Sequence, residues 1–379
     1  MAGAWGDLDL SSSNPAEEEE GAGEEVVVSV EELLLWSTAC LVMAGAEEGP
    51  ARQQAELLLA ADRRGHYSHG FNRWGSGLGK IFLSVLRLGI YCSDIQSGAC
   101  VPGAAPRVVR ETVAAALVDG AAGLGAVVGR FCMELAISKA KEAGVGWVTA
   151  RNSNHFGIAG HYSAMAERAG LLGMACTNGT PWVAATRSKG QRLLSTNPIA
   201  FSAPGEEQDS GLCLDMATSA VAAGKIEVAA VRGEAIPEGW AVDGAGRHTA
   251  DPKLALREGA GLPLGGREDT GGYKGFGLAL MVEVLCGVMT GGPWGPEVRA
   301  WGATDGVLGG LSHFFLALDP GVCGEGFPGR LEAVLATVRS LEPEEESLPV
   351  LAPGDKERER ERMVRERGGV QYSRWVMLG

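Results

Sequence analysis

Apolar residues recur with a helical spacing through the first hundred positions of the chain. Ser29, followed three residues later by Glu32, forms a capping box that predicts the start of a helix running to about Ala46. Similar patterns predict helices over residues 51–61 and 79–88. The N-terminal part of the chain is therefore expected to be mainly helical.

Short apolar runs that indicate buried strands alternate with helical patterns in the middle of the chain. Strands are predicted over residues 113–118, 145–150, 172–177, 199–202 and 211–216, and helices over residues 126–143 and 162–169. This alternation predicts an α/β fold in which the middle of the chain contains the sheet.

The pattern changes again towards the C-terminus. Residues 275–289 are almost all apolar and predict a long helix that is buried on all sides. A strand over 314–319 and an amphipathic helix over 330–341 are predicted to follow. Residues 356–367 mix Lys and Arg with Glu at helical spacing, which predicts a solvent-facing helix with salt bridges.

These patterns divide the chain into five parts. They are an acidic, disordered tail (1–26), a helical N-terminal region (27–105), a cofactor-binding mixed-sheet domain (106–260), a C-terminal helical region that packs with the N-terminal region (261–370), and a short tail (371–379). The 379 residues suffice for two domains with a substantial core.

Charge is concentrated at the N-terminus. The formal net charge is −14, and the first 25 residues contain eight acidic residues and no Lys or Arg. This composition predicts a solvated arm. No basic patch indicates a nucleic-acid partner, and no apolar run reaches the length needed to span a membrane.

The cysteines argue against a metal site or an oxidising compartment. The eight cysteines are scattered, none forms a CxxC pair, and most lie in apolar runs. The N-terminus has no apolar segment typical of a signal peptide. We therefore expect a cytoplasmic protein without a bound metal.

A first polar segment, residues 65–73, follows the predicted helix over 51–61. It contains Ser68, His69 and Arg73. An imidazole transfers protons near neutral pH, and a guanidinium binds a carboxylate through two parallel hydrogen bonds. The segment therefore indicates a site for a small oxo or hydroxy acid, although a solvated surface loop is the alternative interpretation.

A second polar segment, residues 151–161, lies between a predicted strand and a predicted helix. It contains His155 and His161. The free N–H groups at the start of a helix favour an anion, so this turn predicts a binding site for a cofactor phosphate. An Asn/Ser-rich loop that caps the helix is the alternative.

Nine strings of the sequence together resemble the second type of malate/L-lactate dehydrogenase family. They are SHGFNR (68–73), NSNHFGIAGHY (152–162), STNPIAFSAP (195–204), LDMATS (214–219), GKIEVAA (224–230), IPEGWAVD (236–243), LPLGG (262–266), GGYKGFGLALMVEVL (271–285) and APGDKER (352–358). The family also includes L-sulfolactate dehydrogenases and an imine-acid reductase. The resemblance implies an α/β fold of the L-sulfolactate dehydrogenase type, with a mixed sheet flanked by helices and a mainly helical domain.

A glycine-rich segment, residues 120–129, imitates a dinucleotide-binding fingerprint. Gly129 comes one residue later than G-x-G-x-x-G requires after Gly123 and Gly125. The resembling family is not of the Rossmann type either. We therefore expect a non-Rossmann sheet.

The resemblance implies a role for several residues. His69 matches the proton donor, Ser68 supports it, Asp215 engages the catalytic group, and Arg73 and Thr196 contact the substrate. The cofactor, NAD or NADP, is expected to contact His155, Phe156, Gly157, Ile158, Ala159, Leu214, Asp215, Met216, Lys274, Gly275, Gly354, Asp355 and Lys356. A core-edge salt bridge or a helix cap is the alternative for Asp215 and Lys274. Tyr67 stands where the family usually has Asp, which leaves the substrate open.

The sequence thus predicts an NAD(P)-dependent oxidoreductase that acts on a small 2-hydroxy or 2-oxo acid. An imine acid as the substrate is one alternative, and a catalytically inactive relative that serves as a binding or scaffold protein is another. The resemblance also implies a homodimer, and the apolar residues of the first helices and of residues 275–289 agree with a covered surface.

Overall fold

The computed structural model describes residues 25–71, 87–207, 210–303 and 305–373. The helices are α1 (Val30–Ala44), α2 (Glu48–Arg63), α3 (Arg87–Gln96), α4 (Gly125–Ala143), α5 (Ala159–Arg168), α6 (Ala223–Arg232), α7 (Pro252–Glu258), α8 (Gly272–Glu283), α9 (Phe327–Arg339) and α10 (Asp355–Arg367). The strands are β1 (Glu25–Val28), β2 (Arg107–Glu111), β3 (Ala115–Gly123), β4 (Val145–Ser153), β5 (Leu172–Thr177), β6 (Val183–Ala184), β7 (Arg192–Leu194), β8 (Ile199–Ala203), β9 (Leu212–Met216), β10 (Ala241–Val242), β11 (Ala260–Gly261), β12 (Leu311–Leu318) and β13 (Val370–Ser373). Most of the helix predicted over 79–88 lies outside the described residues, and α3 continues eight residues beyond Leu88.

A seven-stranded sheet carries the middle of the chain. Its strand order is β2-β3-β4-β12-β5-β8-β9. Only β3 and β4 pair in parallel, and every other neighbouring pair is antiparallel. A Rossmann sheet is mostly parallel, so the prediction of a mixed, non-Rossmann sheet is confirmed.

Helices cover both faces of this sheet. Phe314 and Phe315 are adjacent on β12 and point to opposite faces, as alternation along a strand requires, and both are buried. Phe315 packs in the core formed with α4 and α5, whereas Phe314 packs against Val282 and Cys286 of the α8 region. The sheet is thus held between two helical layers.

The glycine-rich segment that imitates a nucleotide-binding fingerprint serves close packing. A Cβ on Gly125 would lie 2.1 Å from the main-chain oxygen of His155, and one on Gly129 would lie 2.6 Å from the Tyr162 ring. Gly120 approaches the main chain of Asn152 in the same way. The lack of side chains at these glycines therefore allows residues 120–129 to pack closely against the second polar segment.

The N-terminal helices form a second core that includes both ends of the described chain. Buried residues of α1, α2 and α3 pack with Val370 and Tyr372 of β13. Strand β13 pairs with β1 in antiparallel register, with Val26 opposite Tyr372. Residues 25, 26 and 371–373 therefore belong to a small sheet, which corrects their assignment to tails.

Two local predictions are confirmed. The Ser29 hydroxyl accepts a hydrogen bond from the Glu32 N–H at 3.1 Å, and the Glu32 carboxylate accepts one from the Ser29 N–H, so the capping box is present. Helix α10 has no buried residue, and its Arg362 pairs with Glu359 and Glu366.

The prediction that residues 275–289 are buried on all sides is wrong. Ala279, Val282 and Cys286 face the sheet, but Met281, Val284 and Val288 remain exposed. The helix also changes to a π-helix over Val284–Val288. Apolar residues occupy the whole circumference, whereas the sheet covers only one side. Among the described residues, no helix is both long enough and apolar enough to cross a membrane.

Candidate active site

The first polar segment forms a turn directly after α2. The His69 N–H donates to the His66 carbonyl at 2.9 Å, and the Ser68 Oγ and the His69 Nδ1 are 2.9 Å apart. The Ser68 carbonyl in turn accepts a hydrogen bond from Arg87 Nε at 2.9 Å. Because Ser68 occupies Nδ1, the Nε2 of His69 is the nitrogen that remains for a ligand.

The second polar segment brings His155 to the same place. The His69 and His155 rings are nearly parallel, with their centroids 6.0 Å apart. The Nδ1 of His155 accepts the Gly157 N–H at 3.2 Å and lies 2.6 Å from the Tyr91 hydroxyl. An accepting Nδ1 carries no proton, so the proton of the neutral ring is on Nε2.

Two residues that the sequence did not single out complete this cluster. The Trp301 ring stacks on His155 with centroids 4.0 Å apart. The guanidinium of Arg87 lies 4.7 Å from the centroid of the Trp301 ring. No carboxylate among the described residues pairs with Arg87, and burial lowers the pKa of this arginine. Arg73, the predicted carboxylate-binding residue, lies outside the described residues.

Both histidines are uncharged at neutral pH. Burial, the guanidinium of Arg87 and the neighbouring His66 lower the pKa of His69 to about 3. Burial, His69 and Arg87 also lower the pKa of His155 well below its usual value. The cluster therefore holds one unpaired cation between neutral rings. A bound carboxylate would offset that charge and raise the pKa of His69.

Asp215 lies beside this cluster and binds the start of α5. Its Oδ2 accepts the Gly160 N–H, in the first turn of α5, at 2.9 Å. Burial raises the pKa of Asp215, while His66 and Arg64 oppose that effect. Its charged neighbours include His66, Arg64 and Glu357. The carboxylate thus occupies one N–H group at the N-terminus of α5, and the cofactor-phosphate site predicted at this turn stays a prediction.

His66 connects the same turn to α10. Its Nε2 lies 3.3 Å from the Glu357 carboxylate, and the neighbouring Arg64 pairs with Glu361 at 3.0 Å. Burial opposes the charged form of His66, but Glu357 and Asp215 outweigh burial and raise its pKa. A chain of alternating charges thus runs from α10 to the turn that carries His69.

Three of the predicted cofactor segments meet around this chain of charges. The Cys213 N–H donates to the Pro353 carbonyl at 3.1 Å, which places residues 214–216 beside residues 354–356. The bond from Gly160 to Asp215 adds the turn at residues 155–160. Leu214 and Met216 are half-buried on β9, Gly354 caps α10, and Lys356 is exposed on it.

Two predicted cofactor positions have mainly structural contacts. The Phe156 side chain is fully buried and stacks on His313 and Tyr162 in the core. Asp355 bonds Arg339 and Arg358, and these bonds lower its pKa to about 2 although its partial burial acts the other way. Ile158 and Ala159 are buried as well. Only the main chain at residues 156–159 is therefore placed to contact a ligand.

Thr196 belongs to a second group that includes Lys274 and Gly275. The Thr196 carbonyl accepts hydrogen bonds from the N–H and the hydroxyl of Thr218, at 2.9 and 3.1 Å. The Leu264 N–H donates to the Thr218 carbonyl at 2.9 Å, and a Cβ on Gly275 would lie 2.2 Å from the Leu264 carbonyl oxygen. The start of α8 is thus linked to Thr196 through two hydrogen-bonded segments.

A buried carboxylate supports this second group. Glu283 is 1% exposed and accepts hydrogen bonds from Asn178 at 3.0 Å, Asn197 at 2.8 Å and the Gly295 N–H at 3.2 Å. Asn197 has a φ of 35°, a left-handed conformation that the bond to Glu283 helps to hold. Glu283 therefore fixes the main chain next to Thr196.

An open groove of about 540 Å³ lies near the start of α8. It is lined by Ala220, Glu238, Gly239, Trp240, Leu264, Gly265, Gly266, Arg267 and Thr270. Lys274 is exposed nearby, with its Nζ 5.8 Å from the Tyr273 ring centroid. Gly265 is exposed on the groove, whereas Gly266 is buried against the main chain of Gly239. No group of three or more His, Cys, Asp or Glu side chains in the described part of the chain is arranged to hold a metal ion.

The mixed sheet and the histidine cluster define an α/β protein in which a buried arginine, Arg87, lies among neutral histidine rings. The chain belongs to the malate/L-lactate dehydrogenase family, whose sequence pattern it matches over residues 28–377. The predicted family and the predicted mixed α/β fold are confirmed.

Individual relatives span most of the chain. A malate dehydrogenase from Pyrococcus horikoshii is 42% identical over 304 residues, 79% of each chain. An L-sulfolactate dehydrogenase from Methanocaldococcus jannaschii is 38% identical, covering 86% of this chain and 87% of the relative. A Δ1-pyrroline-2-carboxylate/Δ1-piperideine-2-carboxylate reductase from Pseudomonas putida is 32% identical, covering 88% and 90%. The crystal structure of a malate dehydrogenase from Entamoeba histolytica superposes with a TM-score of 0.82 at 30% identity, covering 93% of this chain and 96% of that one.

Proposed function

We propose that this chain interconverts a small 2-oxo acid and its 2-hydroxy acid with NADH or NADPH as the hydride source. The observation that carries this proposal is the guanidinium of Arg87, which is buried beside His69 without a carboxylate partner among the described residues. A buried unpaired cation is costly, and a substrate carboxylate would compensate it. The proposed reaction consumes one hydride and one proton for each carbonyl reduced.

His69 is proposed to transfer the proton, and Ser68 is proposed to orient the His69 ring. The Ser68 hydroxyl holds Nδ1 of His69, which directs Nε2 to the substrate oxygen. In the reductive direction this imidazole must be protonated first. A carboxylate at Arg87 favours that step, since it removes the charge that helps to lower the pKa of His69.

Arg87 is proposed to bind the substrate carboxylate. Arg73 is the alternative for this role, because it matches the substrate-binding arginine of the family. Arg87 has the contacts that the role requires: its Nε is fixed by the Ser68 carbonyl, and Trp301 lies against its guanidinium. A guanidinium fixed in this way is preorganised for a carboxylate.

A nicotinamide cofactor would supply the hydride, and the residues described fit one. Lys274 is exposed at the start of α8 and has no carboxylate partner among the described residues, and Gly265 is exposed on the adjacent groove. These features suit a cofactor phosphate. The turn at 155–160, residues 214–216 and residues 354–356 are proposed as the remaining cofactor contacts, and Thr196 as a substrate contact.

A cyclic imine acid is the second candidate substrate. It carries the same carboxylate, and its C=N carbon would accept a hydride as a carbonyl carbon does. Protonation differs, because an imine nitrogen is more basic than a carbonyl oxygen and takes its proton from solvent more readily. A catalytically inactive binding protein is the third candidate, and the intact pairing of Ser68 with His69 argues against it.

A homodimer is proposed from the family and from the uncovered side of the α8 region. Met281, Val284 and Val288 are 40%, 48% and 54% exposed there. Apolar helix surface of this kind is usually covered by a partner. Light scattering during size-exclusion chromatography should give twice the mass of one chain, and a fully active monomer would contradict the proposal. A cytoplasmic location remains a prediction.

The function is tested by a panel of 2-oxo acids and cyclic imine acids with NADH and NADPH. Oxidation of the cofactor is followed by absorbance, and cofactor binding by fluorescence. Turnover with oxo acids supports the proposal, and turnover only with imine acids supports the second candidate. Cofactor binding without turnover of any acid would support the inactive relative.

A further inference from the structure

Asp62 is a buried carboxyl group in the last turn of α2 that the proposed reaction does not use. Its side chain is almost completely buried, and its Oδ2 accepts two hydrogen bonds. One comes from the Phe71 N–H at 2.8 Å, and the other comes from the Tyr372 hydroxyl at 2.7 Å. Asp62 therefore joins the turn that carries His69 to the C-terminal strand β13.

Gly70 shows how closely this carboxyl group fits against the turn. A Cβ on Gly70 would lie 1.8 Å from Asp62 Oδ1, a distance that no side chain can occupy. Oδ1 has no hydrogen-bond partner among the described residues. Its position is consequently set by Oδ2 and by the space that Gly70 leaves. Residues 70 and 71 are fixed against Asp62, directly after His69.

The far end of this connection is itself well anchored. Tyr372 is buried, and it lies opposite Val26 in the antiparallel pair of β1 and β13. The Phe71 ring is also buried and meets the edge of Trp36 on α1. The turn after His69 is thus held from two sides, by β13 and by α1.

We propose that Asp62 is a positioning residue, which together with Tyr372 holds the turn at Gly70–Phe71 so that His69 and Ser68 face the substrate. The proposal rests on the proposed function for its kinetic consequence. A displacement of about 1 Å in a reacting group can cost about a hundredfold in rate, so a connection that fixes the main chain next to His69 matters for kcat. Strand β13 then contributes to the site without touching it.

The kinetic test compares three variants of the full-length chain. Asp62→Ala removes both hydrogen bonds and should lower kcat by about tenfold to a hundredfold, with little change in cofactor affinity. Asp62→Asn keeps an acceptor oxygen of the same shape and should restore most of kcat. Tyr372→Phe removes one of the two hydrogen bonds, and its kcat should lie between those of Asp62→Ala and Asp62→Asn.

A matched control separates positioning from general stability. Ser37 is a fully buried polar residue of α1 whose hydroxyl donates to the Leu33 carbonyl at 2.6 Å. Ser37→Ala should lower the melting temperature and leave kcat unchanged. Asp62 has only a structural role if Asp62→Ala reduces activity no more than its fraction of unfolded protein explains. The same conclusion holds if Asp62→Ala does not fold and both Tyr372→Phe and Asp62→Asn keep the kcat of the wild type.

A second measurement does not depend on turnover. Diethylpyrocarbonate modifies neutral imidazoles, and mass spectrometry of the peptide 65–73 distinguishes His69 from His66. His69 should react faster in Asp62→Ala and in Tyr372→Phe than in the wild type, while buried His313 serves as the internal reference. An unchanged His69 rate in both variants would overturn the proposal. If the wild type reduces no acid at all, the proposed function fails, and this measurement still tests the position of His69.

Discussion

Replacing Arg87 by Met is expected to remove most of the enzyme's discrimination in favour of acids. The side chain is enclosed between Ser68 and Trp301, and no carboxylate among the described residues compensates its charge. Truncating one partner of a buried, hydrogen-bonded charge pair costs about 2–5 kcal/mol. At about 1.4 kcal/mol for each factor of ten, this predicts a fall in kcat/KM of roughly 30-fold to several-thousand-fold.

The assay compares a 2-oxo acid with its amide in steady-state kinetics. The wild type should handle the amide poorly, and Arg87→Met should handle both compounds about equally. Arg87→Lys keeps a charge but loses the fork-shaped geometry, so it should recover only part of the loss. Cofactor affinity should hardly change in either variant.

Two control variants locate the carboxylate site. Arg52→Met removes an exposed arginine that pairs with Glu56 on α2, and it should behave like the wild type. Arg73→Met tests the arginine that the family resemblance singled out. A loss of discrimination between acid and amide in Arg73→Met that is absent from Arg87→Met would refute the reasoning. It would show that Arg73 binds the substrate carboxylate.

Three further predictions follow from other parts of the structure. His69→Ala should lower turnover by roughly two to four orders of magnitude without weakening cofactor binding, and near-normal turnover would exclude His69 as the proton donor. Folding stability should decline as the pH falls below about 6.5, because buried histidines bind protons only in the unfolded chain. His313 is an example, since burial lowers its pKa to about 3. Urea midpoints at pH 7.5 and 5.5 measure this decline, and His313→Asn should make the loss of stability between the two pH values smaller. Gly125→Ala should lower the melting temperature and disturb the His155 turn, because the new Cβ would lie 2.1 Å from the His155 carbonyl oxygen; an unchanged melting temperature would contradict this packing argument.

Much of the fold could be predicted because its signals are local. The capping box at Ser29, the apolar strand at residues 172–177 and the charge pattern of α10 are each specified within a few residues. The prediction for residues 275–289 was wrong because apolar composition does not reveal which sides of a helix the rest of the chain covers. That information lies in the placement of β12 and β5, which are distant in sequence.

The candidate site was predictable only in part. Ser68 and His69 are neighbours in sequence, and their contact is local. Arg87 and Trp301 were missed because they reach His155 and Ser68 from distant segments of the chain. A signal for Arg87 existed: it lies four residues before Tyr91, so both side chains share one face of a helix. No local pattern indicated that Trp301 would stack on His155.

Asp215 illustrates a different difficulty. Its position near the site was implied by the family, but its partner could not be read from the sequence. The carboxylate binds the start of α5, the same place that the strand-to-helix turn offered to a cofactor phosphate. The three-dimensional arrangement shows that one of these N–H groups, that of Gly160, binds Asp215.

The central place of β12 in the large sheet has a consequence for how the chain acquires its structure. Strands β4 and β5 flank β12 and do not pair with each other, so residues 145–177 cannot complete their sheet until residues 311–318 are available. Pairing over such a long sequence separation slows folding and leaves strand edges open in the meantime. During synthesis, more than a hundred residues must therefore emerge after β5 before its edge is covered. Fragments that end before residue 311 should be prone to aggregation, and the full-length chain should depend on chaperones more than a protein with locally paired strands.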